Sequence, residues 1–171
     1  MTKLTIIRGD ITKERVDAIV NAANTSLLGG GGIDGAVHRA AGPKLLEECS
    51  LLGGCRTGEA KITKGHNLPA KYVIHAVGPV WQAGKSNEAA LLADCYRSCL
   101  ELAKKHEMKT VAFPAISTGA YGFPKQEAAE IAIQTVNAFV AQNDCFDEIR
   151  FIVFSEESER IYHSVLKGQS A

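Results

Sequence analysis

The sequence predicts a layered α/β/α domain built on a mixed sheet. In the second half of the chain, short β-branched runs alternate with long stretches of helical periodicity, as strands covered by helices do. The first two strand-like runs, Lys3 to Arg8 and Val16 to Asn21, stand too close for a parallel crossover between neighbours. They are therefore antiparallel or not adjacent. At 171 residues, 46% of them hydrophobic, the chain is expected to be one domain over 1–171 with a sizeable core.

The elements follow in order. Gly9-Asp10-Ile11-Thr12 ends the first strand, and the second closes on the asparagines Asn21 and Asn24. A run of four glycines, Gly29 to Gly32, leads to a helix over Asp34 to Ala41, and Pro43 opens another that reaches Leu52. Glu59 to Thr63 and Tyr72 to Val77 read as strands, the latter stopped by Gly78-Pro79. Asn87 to Glu107 is a helix with Leu91, Leu92, Cys95, Cys99 and Leu102 at helical spacing. Thr110 to Phe113 is a buried strand, Ala115 to Pro124 a loop, and Lys125 to Gln142 an amphipathic helix. Ile149 to Phe154 is the last strand and Glu156 to Lys167 the closing helix.

Charge and cysteine usage narrow the function classes. Nineteen basic and nineteen acidic residues balance without a basic stripe, so nucleic acid is not expected as the main ligand. An anionic ligand would have to be held by backbone amides and helix ends. Five cysteines without a CxxC pair suit a reducing compartment. No signal pattern or membrane-length apolar run appears, and the expectation is a soluble cytoplasmic protein.

Ligands of layered α/β sheets sit at strand ends, in the loops that lead to helices. Gly9 to Ile11, Asn21 to Gly35, Ile116 to Phe123 and Phe154-Ser155 occupy such positions. The tetraglycine is the strongest signal, because glycine is favoured where backbone must approach something closely and amides before a helix suit a phosphate. Gly30 to Gly35 satisfies GxGxxG literally, but in the wrong context. Ala22 to Gly29 intervene between strand and glycines, and no acid stands about 20 residues on. No Lys-Ser or Lys-Thr follows, which excludes a Walker loop. Two readings of Asp34 stay open at this point: an acid favourable to a helix dipole, or a carboxylate facing a water or sugar hydroxyl. Asn24 is either a turn residue or a donor and acceptor for a ribose diol.

NAAN followed by GGGGIDGAVHRAAG, then CRTGEAKIT, LPAKYVIHAVGP and AISTGAYGFP, resembles the macrodomain family, specifically its MacroD-type branch. The resemblance runs from Gly9 to the last strand. It implies a three-layer α/β/α fold with a mixed, mostly parallel central sheet and a cleft for ADP-ribose. The activities it implies are deacetylation of O-acetyl-ADP-ribose and removal of mono-ADP-ribose from acidic side chains of proteins. A binding module that recognises ADP-ribose without turning it over is the alternative.

Carried over by motif, Asp10 and the Ile11 amide match the adenine-reading positions, and Phe154 the adenine-stacking aromatic. Gly31, Gly32, Ile33, Asp34 and Gly35 match one phosphate loop, and Ser117, Thr118, Gly119, Ala120 and Tyr121 the other, with Tyr121 over the distal ribose. Asn24 and Asp34 match the residues at the scissile linkage, the first orienting ribose and the second positioning or activating water. His38, at i+4 from Asp34, is the third catalytic candidate, with a satisfied core histidine as the other reading. No cofactor or metal is implied, and a monomer is expected. Cys95 and Cys99 read as core, His75 as a buried hydrogen-bonded strand residue, and His66, His106 and His163 show no ligand spacing. Without a GxSxG elbow, covalent serine catalysis is not expected.

Overall fold

The computed structural model describes residues 1–169. Six strands form one sheet: β1 Lys3–Arg8, β2 Ala18–Ala22, β3 Ala60–Lys64, β4 Tyr72–Ala76, β5 Thr110–Phe113 and β6 Glu148–Val153. Their spatial order is β1-β6-β5-β2-β4-β3. All neighbouring pairs are parallel except β3 with β4, so the sheet is mixed and mostly parallel. β6 and β5 lie between β1 and β2, which resolves the first pair as not adjacent.

The helices are α1 Gly32–Ala41, α2 Pro43–Ser50, α3 Glu88–Lys105, α4 Lys125–Gln142 and α5 Glu156–Gln169, with a single 3₁₀ turn at Ile11–Lys13. Alternation along the strands sorts them into two outer layers. Ile19, Val73, Ala112 and Ile152 face α1 and α2, where Val37, Leu45 and Cys49 meet them. Val20, Ile74, Val111, Phe113 and Phe151 face the opposite way, onto Leu92, Cys99, Ala132, Val136 and Tyr162 of α3, α4 and α5. The central strand β2 is buried from Ala18 to Asn21, and its apolar residues on both faces are what a two-sided parallel strand requires. Asn21 and His75 are the polar exceptions on the α1 side, both fully buried.

Element ends differ from the sequence reading where hydrogen bonds decide. α1 starts two residues before Asp34, because the Gly35 amide donates to the Gly31 carbonyl at 3.2 Å and closes the first turn early. Phe154 lies just past the end of β6. Among the described residues no helix is long and apolar enough to cross a membrane.

Phe113 is fully buried, with ring centroids 5.1 Å from Tyr96 and 6.2 Å from Phe151. Phe113→Ala should cost about 3–5 kcal/mol. Urea unfolding monitored by circular dichroism measures it, and a loss below about 1 kcal/mol would show that this layer can close over the gap.

Candidate functional site

A cleft of about 550 Å³ opens at the ends of β2, β5 and β6. One wall is the glycine loop and the start of α1; the other is the loop after β5. The position is the one expected of a parallel α/β sheet, where strand ends and helix starts converge.

The glycine wall is built by its neighbours. The Asn24 amide oxygen accepts from the Ser26 hydroxyl at 2.7 Å and the Leu27 amide at 3.1 Å. Its Nδ2 donates to the Gly29 carbonyl at 2.9 Å, so one side chain ties both ends of the loop together. One Asn24 N–H remains, at the cleft lining. Gly31 caps α1 without a side-chain bond, and the amides of Gly32, Ile33 and Asp34 are the free donors of the first turn. A Cβ on Gly31 or Gly32 would meet open space. Gly35 has a different reason to be glycine: a Cβ there would lie 2.7 Å from the Gly30 carbonyl oxygen. It packs beneath the loop and does not line the cleft.

The opposite wall turns on Ser117, whose φ of +67° is unusual for a residue with a side chain. Its carbonyl accepts from Phe123 N at 2.9 Å, and the Thr118 hydroxyl donates to Ala115 O at 2.9 Å. Among the described residues, the amides of Gly119, Ala120 and Tyr121 have no acceptor. The buried Ser117 Oγ also lacks a partner. Gly78 lets this loop come close, since a Cβ on it would stand 2.2 Å from Ser117 Oγ. Tyr121 lines the cleft, and its carbonyl accepts from Trp81 N at 2.8 Å.

Asp34 sits in the cleft wall but is only 4% exposed. Its Oδ1 accepts from Asn21 Nδ2 at 2.9 Å and lies 3.3 Å from His38 Nε2. Oδ2 has no hydrogen bond among the described residues and turns toward Gly30, whose Cβ would come within 3.1 Å of it. His38 stands at i+4 on the far side of the carboxylate and does not line the cleft.

The sheet carries the contact further. Asn21 and His75 are register partners on β2 and β4, with Asn21 Nδ2 3.2 Å from His75 Nδ1. His75 Nε2 is 2.9 Å from Thr63 Oγ1 and 3.6 Å from Cys49 Sγ. Burial, with the nearby His38 adding to it, pushes the His75 pKa down to about 3.

Phe154 is 91% exposed, so its ring at the far end of the cleft is open to a planar group. Asp10 and Ile11 do not line the cleft, but the Gly9 amide bonds Val153 O at 3.0 Å and so sets them beside its Phe154 end. Asp10 caps the 3₁₀ turn, Oδ1 accepting from Thr12 Oγ1 at 2.7 Å and Thr12 N at 2.9 Å. The Thr12 hydroxyl above all holds its carboxyl below the usual carboxylate range.

Ser155, placed beside Phe154 by the sequence, lines the cleft, and so do Gly78, Lys125, Ile152 and Ser158, which the sequence reading did not place there. Ile152 was findable as the residue two before Phe154, and Ser158 from the cap of α5, where its amide donates to Ser155 Oγ at 3.1 Å. Lys125 carries no such signal; its Nζ pairs with Glu157 at 2.6 Å. Among the described residues no group of three or more His, Cys, Asp or Glu side chains is placed to hold a metal ion.

A mixed α/β/α sheet with a cleft between two amide-bearing loops defines a ligand-binding domain suited to an anion at its centre. The Macro domain family model matches residues 20–132, and the chain belongs to that family. A macro domain-containing protein of Methanosarcina mazei is 60% identical over 156 residues, 91% of this chain and 83% of the relative. A Salmonella gallinarum protein named O-acetyl-ADP-ribose deacetylase is 52% identical over 172 residues, 98% of this chain and 96% of its own length. The Oceanobacillus iheyensis macrodomain solved with ADP superposes with a TM-score of 0.94 at 47% identity, covering 98% of this chain and 91% of that one. The Trypanosoma brucei macrodomain in complex with ADP-ribose gives 0.90 at 44% identity, covering 94% and 68%.

A histidine that stays neutral in the native state and takes a proton when unfolded makes stability fall with pH. The unfolded imidazole titrates near pH 6.5, so the loss begins there and continues to the native value of about 3. Between pH 7.5 and 5 His75 alone should account for about 2 kcal/mol. Urea unfolding at both pH values should show that drop in the wild type and lack it in His75→Leu. Equal drops in the two proteins would place the acid sensitivity elsewhere.

Proposed function

We propose that this chain binds ADP-ribose in the cleft and hydrolyses two linkages to it. These are the ester of O-acetyl-ADP-ribose and the bond from mono-ADP-ribose to acidic side chains of proteins. The observation that carries the proposal is Asp34: a buried carboxylate with one oxygen held by Asn21 and the other turned to the cleft. The deacetylase-named relatives support the ester activity.

In this reading the amides of Gly32 to Asp34 and Gly119 to Tyr121 hold the pyrophosphate from its two sides. Phe154 stacks on adenine, with Asp10 accepting from its amino group and the Ile11 amide serving a ring nitrogen. Tyr121 covers the distal ribose. The remaining Asn24 N–H orients that ribose, and Asp34 Oδ2 accepts a hydrogen bond from the water that attacks. The water oxygen bonds either to the ester carbonyl carbon or to the anomeric carbon, and the bond from that carbon to the linking oxygen breaks. The water's proton passes to Asp34 or to a phosphate oxygen of the substrate, and the departing oxygen is protonated. No bond to the enzyme forms. Rate comes from placing the water and from fixed donors around the developing charge.

A reader that binds without turnover is favoured by one feature: Asn24 already uses its oxygen and one N–H within its own loop. One experiment separates the two. Wild type and Asp34→Ala are each incubated with O-acetyl-ADP-ribose and with a protein mono-ADP-ribosylated on glutamate, while calorimetry measures ADP-ribose binding. The expected result is turnover by wild type, a kcat about 10²- to 10⁴-fold lower for Asp34→Ala, and affinity preserved within about tenfold. Tight binding with no turnover by wild type overturns the enzyme and leaves the reader.

A further inference from the structure

The buried hydrogen bonds behind Asp34 run in one direction. The Thr63 hydroxyl donates to the Lys64 carbonyl at 3.2 Å, so toward His75 it can only accept. The single proton of the neutral imidazole therefore sits on Nε2, and Nδ1 is left as an acceptor. Asn21 Nδ2 meets that acceptor at 3.2 Å and gives its other proton to Asp34 Oδ1 at 2.9 Å. The consequence is an orphan: Asn21 Oδ1 is buried without a partner among the described residues. Such a group is destabilising, yet turning the amide over would set the oxygen against the carboxylate. Cys49, the other neighbour of Nε2, is kept a neutral thiol because burial pushes it up to about 11, and at 3.6 Å its sulfur is a weaker partner than the Thr63 oxygen at 2.9 Å.

We infer that His75 is a positioning residue for hydrolysis. Its unprotonated Nδ1, fixed by Thr63, holds the Asn21 amide with its donors toward Asp34, which ties Oδ1 down and leaves Oδ2 aimed at the cleft. In the reversed chain Asn21 Oδ1 would face Asp34 Oδ1, and two acceptors would push each other apart. A displaced carboxylate no longer presents Oδ2 to the attacking water. This inference rests on the reading of Asp34 as the group that handles the attacking water.

The test compares His75→Leu with His75→Asn, whose amide oxygen takes the place of Nδ1. For His75→Leu, kcat on O-acetyl-ADP-ribose should fall about tenfold while KM and ADP-ribose affinity move less than about twofold; His75→Asn should recover most of the loss. In an Asp34→Ala background His75→Leu should have no further effect, since the two act as one unit. Two readouts need no turnover. Nitrogen NMR of the wild type should find the His75 proton on Nε2, and proton–nitrogen NMR should find the Asn21 side-chain amide protons shifted and faster to exchange with solvent in His75→Leu than in wild type. Thr63→Val, which keeps the shape and removes the acceptor, gives the same comparison if His75→Leu does not fold. A proton on Nδ1, Asn21 amide protons unchanged in His75→Leu, or a kcat loss independent of Asp34 overturns the inference. Wild type that hydrolyses nothing overturns the role of Asp34 in hydrolysis instead, and the two NMR readouts still decide whether His75 orients it.

Discussion

A carboxylate almost removed from water has to be held by groups that cannot move away, and Asp34 sets that requirement for the whole α1 side of the molecule. Its donor, Asn21, lies on the central strand; the acceptor that orients Asn21 lies at the matching register position of β4. The partner of that imidazole comes from β3, the one antiparallel strand. A slip of one residue in the β2–β4 pairing would turn His75 to the opposite face and leave Asn21 without its acceptor. The early start of α1 meets the same constraint from the other side. By closing its first turn on Gly31, the helix brings the aspartate over the ends of these strands.

The glycine run then has two duties. Gly30 stands close against the carboxylate and leaves room for Oδ2, while Gly31 and Gly32 open onto the cleft. Gly35, one turn on, lets the helix pack against the loop it follows. The sequence pattern marks the run as a place of close approach but does not distinguish what approaches each glycine. That distinction comes from the return of the helix onto its own leader, a tertiary fact.

Local patterns made much of the fold legible. Both long helices and the strand alternation follow from periodicity; the short link between the first two strands reflects their separation in the sheet, and the sheet is mixed because β3 runs antiparallel to β4. His75 read correctly as a buried, hydrogen-bonded strand residue because it alternates with Val73 and Val77. Its partners were not readable, since they lie 54 and 12 positions away and are set by strand order and register. Asn21 reads as a strand end that opens a candidate ligand loop, and its partners are hidden for the same reason. Asp10 shows the opposite case: its contacts are local, Oδ1 capping the 3₁₀ turn through Thr12 two residues on.

The second wall depends on the same strand as the first. Past the end of β4 at Ala76, the chain continues through Gly78 to Trp81. Gly78 makes room for Ser117, and the Trp81 amide binds the Tyr121 carbonyl while its ring lies 4.8 Å from Phe123. The segment after Trp81 is in turn organised by Glu88, only 1% exposed, whose carboxylate accepts from the amides of Gln82, Gly84 and Ser86. A carboxylate with three backbone donors is a strong tether for a loop of this length. This strand thus sends a histidine toward the aspartate wall, and the segment that leaves it sends a glycine and a tryptophan toward the tyrosine wall. The spacing of the two loops is therefore fixed by β4 rather than by either loop, which is how chains this rich in glycine can present their amides in a stable geometry.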